Sequence, residues 1–429
     1  MRVGSGESLA IRPADAAGTD ATAGSTPKRV WVERLQLTDF RNYRTLHLCL
    51  GPSPVVLTGS NGAGKTNLLE AVSLLTSGQG LRRVPYPELA RMGAMRWTVA
   101  ARLVTPLGPL NIGTALAPAS AESRRPDHQP GRNPGRIVHI DGATQSGSGA
   151  LARHFEMVWL LPAMDGLFTG PASDRRRFLD RLICGLDPSY RALLGQFERA
   201  MQHRNRLLAD GARDGSRFVA FERVMAEAGV AIAAARAVAV AELAAAIGAR
   251  RNASIGALFP WAELTLIGTL EAELGTRPAI EVEDAYCELL GRERERDRAA
   301  GRTLQGPHRS DLGVQHGPKQ MPAKVCSTGE QKALLIGLVL AHCEVVRQRQ
   351  HGTAPILLLD EIVAHLDPLR RAALLAEIIA LDTQAWMSGT DSEAFSALGG
   401  RGQFLHLEDG RIAPLGGASK AAPPATVTP

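Results

Sequence analysis

Gly59-Ser60-Asn61-Gly62-Ala63-Gly64-Lys65-Thr66 follows the apolar stretch Val55-Val56-Leu57 and opens Asn67-Leu68-Leu69-Glu70-Ala71-Val72, a segment with helical periodicity. A Gly-x-x-x-x-Gly-Lys-Thr loop between a strand and a helix is a phosphate cradle. Its glycines let successive backbone N–H groups turn inward, and the helix start adds partial positive charge. In that geometry the Lys65 ammonium meets the β- and γ-phosphates and the Thr66 hydroxyl holds Mg²⁺. Only six of the 49 basic residues are lysines, so a lysine at this position is no by-product of composition.

The second half of a nucleotide machine lies far downstream. Pro355-Ile356-Leu357-Leu358-Leu359-Asp360-Glu361 reads as a buried parallel strand ending in two carboxylates. Asp360 at the strand tip suits the Mg²⁺ shell, and Glu361 suits a general base for the water that attacks a γ-phosphate. Ahead of it, Cys326-Ser327-Thr328-Gly329-Glu330-Gln331-Lys332 opens a long apolar helix. Ser327, Gly329 and Gln331 there offer a hydroxyl, bare backbone N–H groups and a positive helix end, as a γ-phosphate receptor requires. Ala364-His365-Leu366-Asp367 follows the carboxylate pair. A signature helix before an Asp-Glu strand, with a further Asp shortly after, is the arrangement of ATP-binding-cassette (ABC) ATPases.

The remaining chain is compatible with that frame. With 429 residues and 45% hydrophobic content there is room for two or three domains with real cores. The longest uncharged apolar run, Ala333 to Ala341, is too short to span a bilayer, and the N-terminus lacks the apolar core of a signal peptide, so no membrane partner is expected. Five cysteines without C-x-x-C spacing indicate neither a disulfide framework nor a thiolate metal site, and a reducing cytosol fits. A net charge of +6 and an arginine excess favour an anionic partner, although base composition of the gene explains the arginines equally well. Residues 1–27 and 413–429 read as disordered tails. Val30–Leu37, Leu46–Leu50, Arg96–Leu103, Leu110–Ala115 and Arg136–Ile140 read as strands of an antiparallel layer. Between them Arg124, Arg125, Arg132 and Arg136 form a basic loop, of a kind that is usually just solvated but could touch DNA phosphates. Met157–Leu161 is an apolar strand. Tyr190–Leu208 and Ser216–Ile247 are strongly helical, the latter with a stripe of Phe221, Met225, Ala228, Ile232, Ala235, Ala239, Leu243 and Ile247. Trp261–Ile267 reads as a strand and Glu281–Arg298 as a helix whose sign-alternating end, residues 292–298, is expected to be a solvated, ion-paired face. The expected fold is α/β: an ABC-type P-loop ATPase head, a mixed sheet with an antiparallel β layer, in segments 28–185 and 301–412, with a short helical arm over 186–300.

In these motifs the sequence resembles the RecF recombination-mediator family, relatives of the SMC-type ABC heads. The resemblance spans about residues 30–412. It rests on Leu37-Thr38-Asp39-Phe40-Arg41-Asn42-Tyr43, the phosphate loop, Arg175-Arg176-Arg177-Phe178-Leu179-Asp180, Gln202-His203-Arg204-Asn205, Gly306-Pro307-His308-Arg309-Ser310-Asp311-Leu312, the Ser-Thr-Gly-Glu-Gln-Lys signature and Leu359-Asp360-Glu361. It implies an ATP-dependent homodimer that binds double-stranded and gapped DNA and works with RecO and RecR to place RecA at single-strand gaps. Carried over, Gly59 to Thr66 bind ATP and Mg²⁺, Asp360 supports the metal, Glu361 is the base, Ser327 and Gly329 meet the partner's γ-phosphate, and Arg41 and Asn42 face the nucleotide. Two departures stand out. No histidine occupies the switch position in Trp386-Met387-Ser388-Gly389-Thr390-Asp391, and no clear glutamine loop follows Leu161, so Thr390 and Asp165 are the substitutes on offer. A transporter ATPase subunit is disfavoured by that missing histidine, an SMC tether by the lack of long heptad arms, and a GTPase switch by the lack of an Asn-Lys-x-Asp motif.

Overall fold

The computed structural model describes residues 29–117, 135–212, 214–252, 259–364, 366–408 and 410–413. Residues 1–28 and 414–429, and Arg124, Arg125 and Arg132, lie outside them.

Two sheets and a helical layer share the head. The first is antiparallel, in the order β2-β1-β4-β5-β6-β7, formed by β1 (Trp31–Phe40), β2 (Tyr43–Cys49), β4 (Thr98–Thr105), β5 (Gly108–Leu116), β6 (Arg136–Ile140) and β7 (Ala143–Thr144). The second runs β15-β14-β3-β13-β12-β8 and contains β3 (Val55–Thr58), β8 (Met157–Leu160), β12 (Ile356–Leu359), β13 (Ala385–Ser388), β14 (Gln403–Glu408) and β15 (Arg411–Ala413). Here β14, β3, β13, β12 and β8 are all mutually parallel, and β15 closes one edge antiparallel. The central strands are buried along their whole length. Their side chains alternate between two cores. Val55, Leu57, Ile356, Leu358 and Trp386 face the antiparallel sheet and the Lys65–Ser73 helix. Val56, Leu357, Leu359, Ala385 and Met387 face the helices of the opposite layer, Ala172–Leu186, Thr328–Arg349 and Pro368–Ala380.

Polar groups join the layers where apolar contact gives no register. Gln384 Oε1 accepts from Val32 N (2.9 Å) and from Trp386 Nε1 (3.0 Å), while its Nε2 donates to Val32 O (3.1 Å) and Gly51 O (2.8 Å). Arg136, read from sequence as part of a solvated basic loop that could touch DNA phosphates, is instead buried: its guanidinium donates to Leu74 O and, at 2.6 Å, to Thr76 O, the open carbonyls past the phosphate-loop helix.

The helical arm comprises Tyr190–Ala209 and Ser216–Asn252, against which Thr269–Leu274, Ala279–Arg292 and a three-stranded sheet pack. That sheet is β11-β10-β9, built from β9 (Ala262–Ile267), β10 (Asp311–His316) and β11 (Met321–Pro322). Ser216–Asn252 is long and apolar enough to cross a bilayer, although charged residues such as Glu227, Arg236 and Glu242 interrupt its apolar runs. Its apolar stripe is used inside the protein: Met225, Ala228, Ile232, Ala239, Leu243 and Ile247 are core residues, and Arg236 is buried against Asp180 at 2.9 Å.

The expected Glu281–Arg298 helix breaks at Glu293 into Ala279–Arg292 and Arg294–Ala300. Its charged end is only half the solvated face expected. Arg296 and Arg298 pair with Glu293 and Glu295 on the surface, but Asp297 is buried, and Arg294 reaches in to buried Glu222. The centre of that cluster is Arg204, fully buried. It donates to Glu222 (3.0 Å), Asp297 (2.7 Å), Thr303 Oγ1 (2.9 Å) and Leu290 O (2.6 Å), and neighbouring Asn205 accepts from Thr303 N and Oγ1. An Arg fork filled by two carboxylates and two neutral acceptors satisfies a charge that would otherwise be too costly to bury.

Candidate nucleotide site

In a parallel sheet the strand tips converge at one edge, where ligands of open α/β folds sit. The register pairs Leu359 with Met387 and Ser388 with Leu57, so the segments after β3, β12 and β13 leave the sheet side by side. From β3 comes the phosphate loop. Gly59 and Gly64 have φ of 138° and 108°, and a Cβ on Gly59 would lie 2.2 Å from Leu407 O. At Gly64 it would lie 2.5 Å from Asn42 Nδ2 and 2.7 Å from the Tyr43 hydroxyl, so close packing as well as handedness excludes any side chain. Ser60, Asn61 and Gly62 are exposed on the rim, Ala63, Gly64 and Lys65 are buried, and Ala63 N donates to Ser60 O.

The Lys65 ammonium folds back onto the carbonyls of Gly59 (2.6 Å) and Ser60 (2.9 Å). Burial lowers its pKa, opposed by the charges of Glu361 and Asp360. Thr66 Oγ1 lies 3.1 and 3.0 Å from the two carboxylate oxygens of Asp360, so residues far apart in sequence meet at one point. Asp360 is buried and takes a further hydrogen bond, 2.6 Å, from Ser388 Oγ, which accepts from Glu361 N at 2.8 Å. Glu361 is exposed with φ of 48°, and its carbonyl accepts from Lys332 Nζ at 3.2 Å. Lys332 is buried and lies 3.6 Å from Asp165 Oδ2, which brings the Leu161–Asp165 segment to the same edge. Thr390 is exposed.

Sequence reasoning missed Ser388 and Lys332. Ser388 sat in the quoted switch stretch but carries no motif, and only the parallel register reveals that its hydroxyl bridges both carboxylate residues. Lys332 closed the quoted signature, yet its reach to Glu361 depends on helix placement that no spacing rule supplies.

Tyr43 donates to Gly64 O at 2.9 Å, and Asn42 Nδ2 to Ala63 O at 3.3 Å, so the β1–β2 turn braces the loop from outside. Asn42 Oδ1 accepts from Asn67 Nδ2. Arg41, at φ 52°, turns its guanidinium to buried Glu70 (2.8 Å) and to Glu88 O (3.0 Å). Ser327 is exposed at the N-cap of Thr328–Arg349 in a reciprocal capping box with Glu330, with Gly329 in the first turn. Gln331 is buried and donates to Cys326 O at 2.8 Å. Asp367 caps Pro368–Ala380 by accepting from Arg370 N at 2.9 Å.

The oxygen-only donor pair of Thr66 and Asp360 suits a hard cation such as Mg²⁺. The loop with buried Lys65 suits a polyphosphate. Together these residues can hold a nucleoside triphosphate and present a carboxylate beside it.

Comparison with known proteins agrees with the geometry. Residues 31–396 match the model of the RecF/RecN/SMC N-terminal domain. The DNA replication and repair protein RecF of Mesorhizobium japonicum is 51% identical over 389 residues, covering 90% of this chain and 99% of the relative. That of Brucella suis biovar 1 is 49% identical over 388 residues, with 90% and 97% covered. Among solved structures, the recombination mediator protein RecF with ATPrS, from the RecFOR pathway, superposes with a TM-score of 0.75 at 20% identity over 90% of this chain and 98% of that one. The strand-tip site and these matches place the chain in the RecF family of DNA replication and repair proteins, nucleotide-binding members of the RecF/RecN/SMC class of ABC ATPases.

Proposed function

We propose that the chain is an ATP-dependent DNA-binding protein of replication and recombinational repair, which dimerises on ATP and helps load a recombinase at single-strand gaps. The observation that carries this is the meeting of Thr66, Asp360, Ser388 and Glu361 at the edge where the phosphate loop leaves the sheet. Gly59 to Thr66 enclose the phosphates, with Lys65 leaving the loop carbonyls for the β- and γ-oxygens. Thr66 and Asp360 hold Mg²⁺, which supplies charge neutralisation when bound. Glu361 orients and deprotonates water, and Ser388 fixes its backbone. Asn42 acts through the loop it braces, and Arg41 and Asp367 are the remaining nucleotide-binding candidates.

Exposed Ser327 and half-buried Gly329 are the groups that a second copy offers to the first copy's γ-phosphate, so that association follows nucleotide state. Hydrolysis is weak and serves as a release timer. Paired heads hold double-stranded or gapped DNA through arginine–phosphate contacts, with little base readout and strong salt dependence. RecO- and RecR-type mediators are the protein partners and the cytoplasm the compartment. The names of the relatives and of the RecFOR-pathway structures support this reading.

Light scattering with ATP tests it. Glu361→Gln should accumulate dimer and Lys65→Ala should remain monomeric; the reading falls if the first stays monomeric or the second dimerises as the native protein does. Binding of gapped, duplex and single-stranded DNA at two salt concentrations, with and without ATP, tests the DNA half.

A further inference from the structure

The signature serine is held by a contact from outside its own helix. Ser327 N and Oγ both lie 3.1 Å from Glu330 Oε2, and Glu330 N donates back to Ser327 Oγ at 3.4 Å. The other carboxylate oxygen, Oε1, is 2.6 Å from Lys319 Nζ. Lys319 belongs to the tight turn between β10 and β11, where its backbone N–H donates to His316 Nδ1. That turn is pinned to the base of the arm. Gly317 N donates to Trp261 O at 2.9 Å, and a Cβ on Gly317 would fall 1.8 Å from the indole nitrogen, so the turn backbone packs directly against the indole with no room for a side chain. On the same indole stacks Arg251, 4.1 Å from the ring centroid, from the end of the long arm helix Ser216–Asn252. Arg251, Trp261, Lys319 and Glu330 all line one cleft of about 360 Å³.

We propose that Lys319 is a positioning residue: it holds Ser327 in its presenting geometry through Glu330, and so ties the signature serine to the end of the helical arm. This rests on the nucleotide-sandwich reading for its consequence but not for its geometry. A free Glu330 carboxylate has rotamers that leave the capping box, and the ammonium removes that freedom by fixing one oxygen while the other serves Ser327. The Lys319 hydrogen bond, followed by those from Ser327, holds the Glu330 carboxyl down at about 2, so the clamp stays charged throughout the physiological range. Half of the Lys319 side chain is exposed, which makes the hold sensitive to salt. A displacement of the arm base has a direct route to Ser327: arm helix, indole, turn, ammonium, carboxylate, hydroxyl.

The test compares Lys319→Met and Lys319→Arg with the native full-length chain by two measurements. Amide hydrogen exchange of the peptide spanning 324–333, without nucleotide, should be about fivefold faster in Lys319→Met, the scale of a lost cap, and return towards native in Lys319→Arg. ATP-dependent dimerisation should shift to about fivefold higher protein concentration in Lys319→Met while affinity for a fluorescent ATP analogue, which reports the phosphate loop, stays native. Unchanged exchange in Lys319→Met overturns the proposal whether or not the native protein dimerises. Faster exchange with an unshifted dimerisation curve overturns the link to Ser327 presentation. A native protein that fails to dimerise overturns the sandwich reading alone, and the exchange result then decides the role of Lys319.

Discussion

Replacing Ser388 by Ala separates a chain that merely contains Asp360 and Glu361 from one that positions them. The hydroxyl is fully buried, donates to Asp360 Oδ1 at 2.6 Å and accepts from Glu361 N at 2.8 Å. Its removal deletes one hydrogen bond to a charged group, about 1.5–3 kcal/mol, and leaves the Glu361 N–H without its acceptor, a further cost of about 1–3 kcal/mol before relaxation. The two losses share one site and do not add fully, so a net destabilisation of about 2–4 kcal/mol is expected. Glu361 has φ of 48°, a conformation a glutamate holds only when its surroundings impose it, so loss of the acceptor frees its backbone. In the proposed role of Glu361 the carboxylate then samples positions away from the attacking water, and a barrier increase of about 1.4 kcal/mol already slows hydrolysis about tenfold. The ATP contacts proposed for Lys65 and the loop are untouched. Single-turnover hydrolysis with saturating DNA, alongside equilibrium binding of an ATP analogue, should show the rate falling at least about tenfold while affinity changes less than about threefold. Native hydrolysis in Ser388→Ala with an unchanged melting temperature would refute the positioning argument. An equal loss of affinity and rate would show that Ser388 shapes the loop instead.

Other perturbations have equally definite outcomes. Gly64→Ala places a methyl carbon 2.5 Å from Asn42 Nδ2 and 2.7 Å from the Tyr43 hydroxyl at φ 108°, so ATP-analogue binding should disappear with a stability loss of about 1–3 kcal/mol, measured by calorimetry and chemical denaturation. Arg204→Met strands buried Asp297 and weakens the setting of Glu222, which keeps Arg294; about 3–5 kcal/mol of stability should go, seen as a lower melting temperature and easier proteolysis of the arm. His342 is fully buried, neither ring nitrogen has a partner among the described residues, and burial, then nearby Arg181, pushes its pKa down to about 3. The unfolded chain takes up that proton near pH 6.5 while the fold refuses it, so stability declines as pH falls from about 6.5 towards 3. His342→Leu should flatten that part of the pH–stability curve, and an unchanged slope would sink the assignment.

How much of this was legible beforehand follows from the range of each interaction. The parallel sheet announced itself because strands buried on both faces are continuous apolar runs, as in Ile356 to Leu359, and the antiparallel layer because one face alternates, as in β1. The phosphate loop was legible since φ-permissive glycines, Lys65 and Thr66 are contiguous, so the geometry is local. Asp360 was assigned from its place at a strand tip, but that Thr66 lies 3.0 Å away needed the fold. Long-range partners were illegible for the same reason. Arg136 looked like one more arginine beside a Pro- and Gly-rich loop, and nothing in its neighbours in sequence says that the carbonyls of Leu74 and Thr76 wait for it. In residues 292–298, alternating charge predicted pairing between neighbours and missed Asp297, whose partner Arg204 comes from a different helix. The Gln202–Asn205 and Gly306–Asp311 stretches carried the family resemblance without a bottom-up reason. The structure supplies one: Arg204 and Asn205 hold the arm to Asp297 and Thr303, and Asp311 takes a two-pronged contact from Arg175 at 2.9 and 2.8 Å, fastening β10 to the head helix Ala172–Leu186. The Arg175–Asp311 contact is a guanidinium fork on a carboxylate, which tolerates no shift in angle as an apolar contact would, and the Arg204 fork does the same within the arm. The arm base is thereby set in one orientation, and a rigid base is what the turn carrying Lys319 requires if motion of the arm is to reach the signature serine.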